Sequence, residues 1–431
     1  MMRIPDSLLL GSATAATQIE GGDRNTNWYA WSLAGGVTGG ESSLPGADHY
    51  RLFREDVDLM ASLGHQCYRM SVEWSRVEPQ PGQWSSEAIA HYREEISLIR
   101  SHGIVPLVTL HHFSCPQWFQ DRGGWVSIDC VDTFLRFCRT VVEELGDLVS
   151  EWCTINEPNV FANDTYMDGR YPPGHCGDVG SYLRASRNMV LAHLGAYRII
   201  HETRAQRGYS GQTRVGFAHH LAVFQLARTT PLALLSRWLI NRLFHEIFFA
   251  GFVEGRLIPP LGIGRPAGTG PFCDYVGINY YSRHLITPTC NPTAMFGRIG
   301  VAPDVPDERL TDLGWEIFPS GLGDVVAATW QRYHLPIFIT ENGVADATDS
   351  KRARFIHDHL EHLLRAIDNG ARVERYFHWS LLDNLEWNDG YAPRFGLVEV
   401  DYETMKRHVR PSARYYRDLC RTRTLLEVED D

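Results

Sequence analysis

The run Trp152-Cys153-Thr154-Ile155-Asn156-Glu157-Pro158 is apolar and rich in β-branched residues until it meets a carboxylate and a proline. Such a composition reads as a buried strand, and the proline stops it. A second run has the same grammar: Pro336-Ile337-Phe338-Ile339-Thr340-Glu341-Asn342-Gly343. An apolar strand has no structural need of a carboxylate at its C-terminal end. One such glutamate reads by default as a solvated loop residue or a helix cap. Two in one chain, each at a strand end, point to a two-carboxylate active site.

Outward from these two runs, strand-like and helix-like segments alternate along the chain. Strands are expected over 8–15, 67–72, 104–110, 149–155, 214–219, 273–279, 337–340 and 373–379. Helical spacing appears over 48–63, 87–102, 131–145, 182–202, 321–333 and 352–368, and 411–419 begins a last helix at a proline. In 48–63, for example, Tyr50, Phe53, Val57 and Met60 share one face. The apolar stretch 231–252 carries Arg237, Arg242, His245 and Glu246, too many charges for a membrane span, and reads as one or two helices packed on the body. The segments 35–46 and 288–306 read as loops. Eight strands alternating with helices specify a parallel sheet, and eight is the number that closes a barrel. The expected fold is therefore α/β, a (β/α)8 barrel in a single domain over 1–431. The two glutamates end strands four and seven, at the rim where such barrels carry their chemistry.

Composition narrows the function. The chain has 431 residues, 44% hydrophobic and 22% charged, as soluble globular proteins do. The net charge of −11, with no basic run, argues against nucleic acid as a partner. No apolar run approaches the length of a membrane span. Nine scattered cysteines without a C-x-x-C pair suggest free thiols in a reducing compartment. The N-terminal apolar run, Leu8-Leu9-Leu10, is too short for a secretory signal, so a cytoplasmic location is expected. Within His111-His112 and His219-His220, neighbours on a strand point to opposite faces, so neither pair chelates as a unit and no metal site is expected. No feature of the sequence specifies an oligomeric state.

Asn156-Glu157-Pro158 and Thr340-Glu341-Asn342-Gly343, in this order and at this wide spacing, resemble the acid/base and nucleophile motifs of glycoside hydrolase family 1, the retaining β-glucosidases. The resemblance covers nearly the whole chain. Gln18 in Ala15-Ala16-Thr17-Gln18-Ile19-Glu20-Gly21 and His112 in Thr109-Leu110-His111-His112-Phe113 match the family's sugar-binding positions. Asp274-Tyr275-Val276-Gly277-Ile278-Asn279-Tyr280-Tyr281-Ser282 is similar to its sixth-strand motif, with Asn279 as a substrate contact and Tyr281 as the tyrosine that bonds the nucleophile. The longest match, His378-Trp379-Ser380-Leu381-Leu382-Asp383-Asn384-Leu385-Glu386-Trp387, implies Trp379 as the platform under the sugar and Glu386 and Trp387 as partners of its hydroxyls.

The resemblance implies that Glu157 protonates the leaving oxygen, then serves as base, and that Glu341 attacks as nucleophile, with no cofactor. Glycoside cleavage needs two such carboxylates in environments that push their pKa values apart. Asn156 is placed to bind the sugar 2-hydroxyl. Arg69, in the second strand, is the cation expected to keep Glu341 ionised. Trp315 is expected as a wall on the leaving-group side. The partner is then a small-molecule or oligosaccharide β-glycoside: a β-glucoside, with β-fucosides and β-galactosides as further candidates. Phospho-glycosidases of the family hold a 6-phosphate with a serine, a lysine and a tyrosine in the Glu386 region; an anionic Glu386 with no lysine before Phe395 points to neutral sugars. Phe113 and Ser114 stand where tryptophan and aspartate are usual, and Asn159 where an aromatic often follows; these departures are read as changes at the rim that alter leaving-group preference. Glycosyl transfer to acceptors other than water would use the same residues. A barrel that binds sugar without turnover fits less well, because both carboxylates are present.

Overall fold

All eight expected strands form, and they close on one another. The computed structural model describes residues 2–291 and 295–428. The strands are Leu9–Ala13, Cys67–Ser71, Val105–His111, Glu151–Asn156, Arg214–His220, Val276–Asn279, Ile337–Asn342 and Val373–Trp379. They run parallel in sequence order, and the first pairs with the eighth (Leu9 beside Arg375, Ala13 beside Trp379), which closes a (β/α)8 barrel. Each is buried on both faces, which is why its sequence is a near-continuous apolar run without alternation.

The barrel floor is a charged layer. Glu151, at the start of the fourth strand, accepts from Arg375 Nη2 at 2.5 Å and Nε at 3.2 Å. Arg214 lies 3.5 Å from Glu151 and 2.5 Å from Glu374. The guanidinium carbons of Arg214 and Arg375 lie 4.6 Å and 5.2 Å from the Phe338 ring centroid, and Tyr275 stacks on that ring at 4.0 Å. Helices wrap the outside. The longest, Val179–Arg207, is capped by the Asp178 side chain and ended by Gly208 at φ 64°, and it packs along Cys130–Leu145.

Two features depart from the sequence expectation. The stretch 288–306, expected to be loop, contains the strand Gly297–Gly300, which joins Val223–Leu226 and Arg283–Pro288 in a small sheet beside the barrel. The strands at its two edges have four residues each and mostly half-buried or exposed side chains, too little for an alternation signal. A hairpin of Val398–Asp401 and Lys406–Val409 also went unread. The segment 231–252 forms two helices, as expected, Pro231–Asn241 and Ile247–Phe252, joined by a π-turn, Arg242–Glu246. Among the described residues no helix is long and apolar enough to cross a membrane, and all nine cysteines are free, seven of them buried.

Candidate active site

Both glutamates lie at the carboxyl ends of their strands, facing the mouth of the barrel. Glu157 follows the fourth strand and holds a left-handed backbone (φ 41°), with Pro158 opening the helix Pro158–Tyr166 directly after it. A non-glycine residue in that region is costly and marks a place where side-chain direction matters more than backbone comfort. Glu341 sits within the seventh strand. Gly343 follows because a Cβ there would come within 1.8 Å of the Trp379 carbonyl oxygen. Asn342 ties this strand to its neighbours, accepting from Tyr376 Oη at 2.9 Å and donating to Tyr280 O at 2.7 Å.

Hydrogen bonds join the two carboxylates in one chain. Arg69 Nη1 donates to Glu341 Oε1 at 2.5 Å, and Tyr281 Oη donates to Glu341 Oε2 at 2.6 Å. Arg69 Nη2 donates to Asn156 Oδ1 at 2.6 Å. Asn279 Nδ2 donates to the same oxygen at 3.1 Å and to Glu157 Oε1 at 2.8 Å, while Asn279 Oδ1 accepts from Thr340 at 2.6 Å. Burial pushes the Glu341 carboxyl up, to about 7; Arg69 and the Tyr281 hydroxyl pull it down, and Glu157 adds like charge. Arg69 thus offsets part of the desolvation of Glu341. Burial, then Asp389, Glu341 and Glu157, raise Glu386 well above the usual carboxylate range.

The remaining residues converge above this chain. His112 lies 5.9 Å from both Trp379 and Trp387, nearly parallel to each. Gln18 Nε2 donates to Asn384 Oδ1 and the Leu385 carbonyl, which anchors the loop bearing Glu386. Three buried atoms here have no partner: Gln18 Oε1, His112 Nδ1 and Glu386 Oε2. Burial holds the His112 ring neutral. Its Nε2 faces Asn156 Nδ2 at 3.0 Å and so accepts, leaving Nδ1–H as a free donor. An acceptor, a donor and a carboxylate, set among two indoles and left unsatisfied, match a polar ring with an apolar face. Trp315 stands 5.7 Å from Tyr281, beside Phe395. Every residue expected from sequence (Gln18, Arg69, His112, Asn156, Glu157, Asn279, Tyr281, Trp315, Glu341, Trp379, Glu386 and Trp387) is thus drawn to the mouth.

The sequence profile of glycosyl hydrolase family 1 matches residues 1–252 and 271–425. The chain belongs to that family. β-Glucosidase A of Acetivibrio thermocellus is 31% identical over 96% of this chain and 97% of its own. The 6-phospho-β-galactosidase 1 of Streptococcus pneumoniae is 30% identical over 97% and 98%. The structure of a β-glycosidase from Pyrococcus horikoshii superposes with a TM-score of 0.90 at 33% identity, covering 99% of this chain and 96% of that one. This chain is accordingly a family 1 glycosidase acting on β-glycosides.

The structure corrects the reading of the departures in this glycosidase. Ser114 is not at the rim: it is buried and donates to both oxygens of Glu73, at 3.1 and 2.9 Å, with Thr17 and Ser75. Asn159 is also buried, its Nδ2 on the His220 carbonyl at 3.0 Å. Sequence reasoning missed four residues. Trp28 and Tyr171 lie 4.8 Å and 6.2 Å from Trp387 and wall it in. Asn342 braces the seventh strand. His220 Nδ1 lies 3.5 Å from Glu157 Oε1. The predicted divergence of neighbouring histidines was the available signal for the last: His219 turns away to His245, 3.1 Å distant, which sends His220 into the mouth. Likewise His111 turns to Trp125 and His112 to the site. A cavity of about 460 Å³ opens on the outer wall between Pro231–Asn241 and Pro319–Tyr333, lined by Trp238, Phe249 and Tyr333, and no site carboxylate lines it. Among the described residues no group of three or more His, Cys, Asp or Glu is arranged to hold a metal ion.

Proposed function

We propose that this glycosidase hydrolyses neutral β-glycosides, β-glucosides foremost, with retention of configuration through a covalent glycosyl-enzyme. The observation that carries the reading is the unequal supply of donors to the two carboxylates. Glu341 receives a guanidinium on one oxygen and a phenol on the other, which concentrates negative charge there. Glu157 receives one amide, on Oε1, which leaves Oε2 for a proton. The two donors on Glu341 favour its charged form. Glu341 then attacks the anomeric carbon while Glu157 protonates the departing oxygen. In the second step Glu157, now ionised, takes a proton from water as that water displaces Glu341. Asn156 keeps one amide hydrogen uncommitted, the donor a 2-hydroxyl would meet.

The orphan Glu386 oxygen supports the choice of neutral sugars. The surroundings of Glu386 are rich in acids (Asp389, Glu341 and Glu157), which disfavours a 6-phosphate, while Glu386 Oε2 is left to bond a hydroxyl. The sequence has two lysines. Lys351 is bound to the Asp307 and Leu310 carbonyls, and Lys406 lies in the outer hairpin. Neither is placed to balance a phosphate. The Acetivibrio relative is named for glucoside cleavage and the Streptococcus relative for a phosphorylated galactoside, so identity alone does not decide between them.

The test is nitrophenol release from p-nitrophenyl β-glucoside, galactoside, fucoside and the corresponding 6-phosphates, with the first-formed anomer followed by NMR. Turnover of the neutral glucoside with the β-anomer formed first is expected. Inversion, or preference for a 6-phosphate, would overturn the proposal.

A further inference from the structure

The two oxygens of Glu157 have different surroundings. Oε1 accepts from Asn279 Nδ2 at 2.8 Å and faces His220 Nδ1 at 3.5 Å. No side chain among the described residues bonds Oε2. His220 ends the fifth strand, in register with Asn279 on the sixth. Its ring lies nearly parallel to Tyr281, 6.0 Å away, with the edge of Phe244 at 6.2 Å. Its carbonyl is held by the buried Asn159. The ring thus bridges the partner of one carboxylate, Tyr281, and the other carboxylate itself. Among the described residues no group bonds its Nε2, and a carboxylate facing Nδ1 favours the tautomer with hydrogen on Nδ1.

We propose that His220 is a positioning residue for the acid/base step: with Asn279 it directs hydrogen to Oε1 of Glu157, which confines the transferable proton to Oε2. The proposal rests on the reading of Glu157 as the acid/base. Proton accounting is simple. Oε2–H gives its proton to the glycosidic oxygen as the bond to the anomeric carbon breaks, and Oε2 regains one from the attacking water; His220 neither gains nor loses a proton. Without His220, the carboxyl proton is free to sit on either oxygen and to rotate away from the leaving group. At 3.5 Å the contact is longer than a full hydrogen bond, and the proposal requires it to tighten as the leaving group is protonated.

Leaving-group dependence separates this role from a structural one. A 2,4-dinitrophenolate departs without protonation, whereas an alkoxide does not. His220→Phe keeps a ring against Tyr281 and removes the donor; His220→Asn keeps a donor. With thermal melts confirming folding, kcat/KM is measured on dinitrophenyl β-glucoside and on octyl β-glucoside. His220→Phe is expected to lower the octyl value about tenfold, the worth of one such hydrogen bond, and the dinitrophenyl value less than about twofold; His220→Asn restores most of the octyl activity. Equal losses on both substrates, or none on either, would overturn the proposal. If His220→Phe does not fold, His220→Gln against His220→Leu poses the same comparison. Glu157→Gln run in parallel keeps the two ideas apart. It should show the same split, larger; if it loses both substrates equally, the reading of Glu157 fails and not merely that of His220.

Discussion

At the floor of the barrel Glu151 takes both its oxygens' hydrogen bonds from Arg375 and neighbours Arg214, whose guanidinium also meets Glu374. At the mouth, Glu157 and Glu341 are buried and Glu386 is half-buried beside them, and of the three only Glu341 is paired with a guanidinium among the described residues. Carboxylates are charge-matched at one end of the barrel and left in acid excess at the other. Matched charge in a dry interior balances its own desolvation and contributes a fixed geometry; unmatched carboxyls are pushed toward their neutral form and leave polar atoms for a ligand to satisfy. The orphan atoms of Gln18, His112 and Glu386 say the same in hydrogen bonds. Stability is stored at the floor and chemistry at the mouth, as barrels of this kind divide their two ends.

That contrast is broken most severely at Glu341. Glu341→Gly should lower hydrolysis by at least about 10⁴-fold, the scale of losing a nucleophile. Arg69 loses its partner, but relief of repulsion with Glu157 and Glu386 offsets part of that cost. The melting temperature should therefore fall less than in any floor variant. Azide or formate should restore turnover by entering the vacated space, and azide should yield a glycosyl azide of inverted configuration. No rescue, with a collapsed melting temperature, would place Glu341 among structural residues instead.

The opposite variant is Glu151→Ala. It strands the Arg375 guanidinium in the barrel floor, while Arg214 keeps Glu374, and removing one member of a buried ion pair costs about 3–5 kcal/mol. Guanidinium denaturation should register that loss, while kcat of the folded fraction stays within about twofold of the parent. A stable protein with ruined kcat would erase the distinction between floor and mouth.

How much of this was legible beforehand follows the same division. The eight strands announced themselves because burial on both faces writes an uninterrupted apolar run, and Glu157 and Glu341 stood out because each ended such a run. Arg69 was readable by the same logic, as a charge inside an apolar strand. Trp379, Glu386 and Trp387 were not, since a loop of mixed composition carries no period; there the family resemblance did the reading. His220 was passed over as half of a histidine pair considered for metal. Trp28 and Tyr171 lie far in sequence from Trp387, and nothing local points from one to the other. Ser114 looked like a rim substitution, yet its hydroxyl serves a buried glutamate, a fact that lives in the packing of Glu73 and not in any motif. The small sheet around Gly297–Gly300 was lost because short edge strands show no burial contrast.

A third buried cluster, outside the barrel wall, shows that the floor's matching extends beyond it. His49 lies with Nδ1 2.8 Å from Asp56 and Nε2 2.9 Å from Glu95, and Arg407 binds Asp56 through Nε and Nη2, both at 2.8 Å. Burial opposes charge on this ring, but Glu95 and Asp56 outweigh it and raise the His49 pKa to about 10, from 6.5. The folded chain therefore holds a proton that the unfolded chain releases above 6.5. The stabilisation is complete below pH 6.5 and is lost as pH rises through 10. Between pH 7 and 9 this one site should erode stability by about 1.4 kcal/mol per pH unit, roughly 2–3 kcal/mol in all. His49→Gln should be less stable than the parent at pH 7 and flatter across that window, while kcat changes little, because none of the mouth residues touches this cluster. Urea melts at pH 7, 8 and 9 on both proteins measure it. Parallel slopes for parent and variant would mean that the ring is neutral in the fold, and that its two carboxylates balance their charge on Arg407 alone.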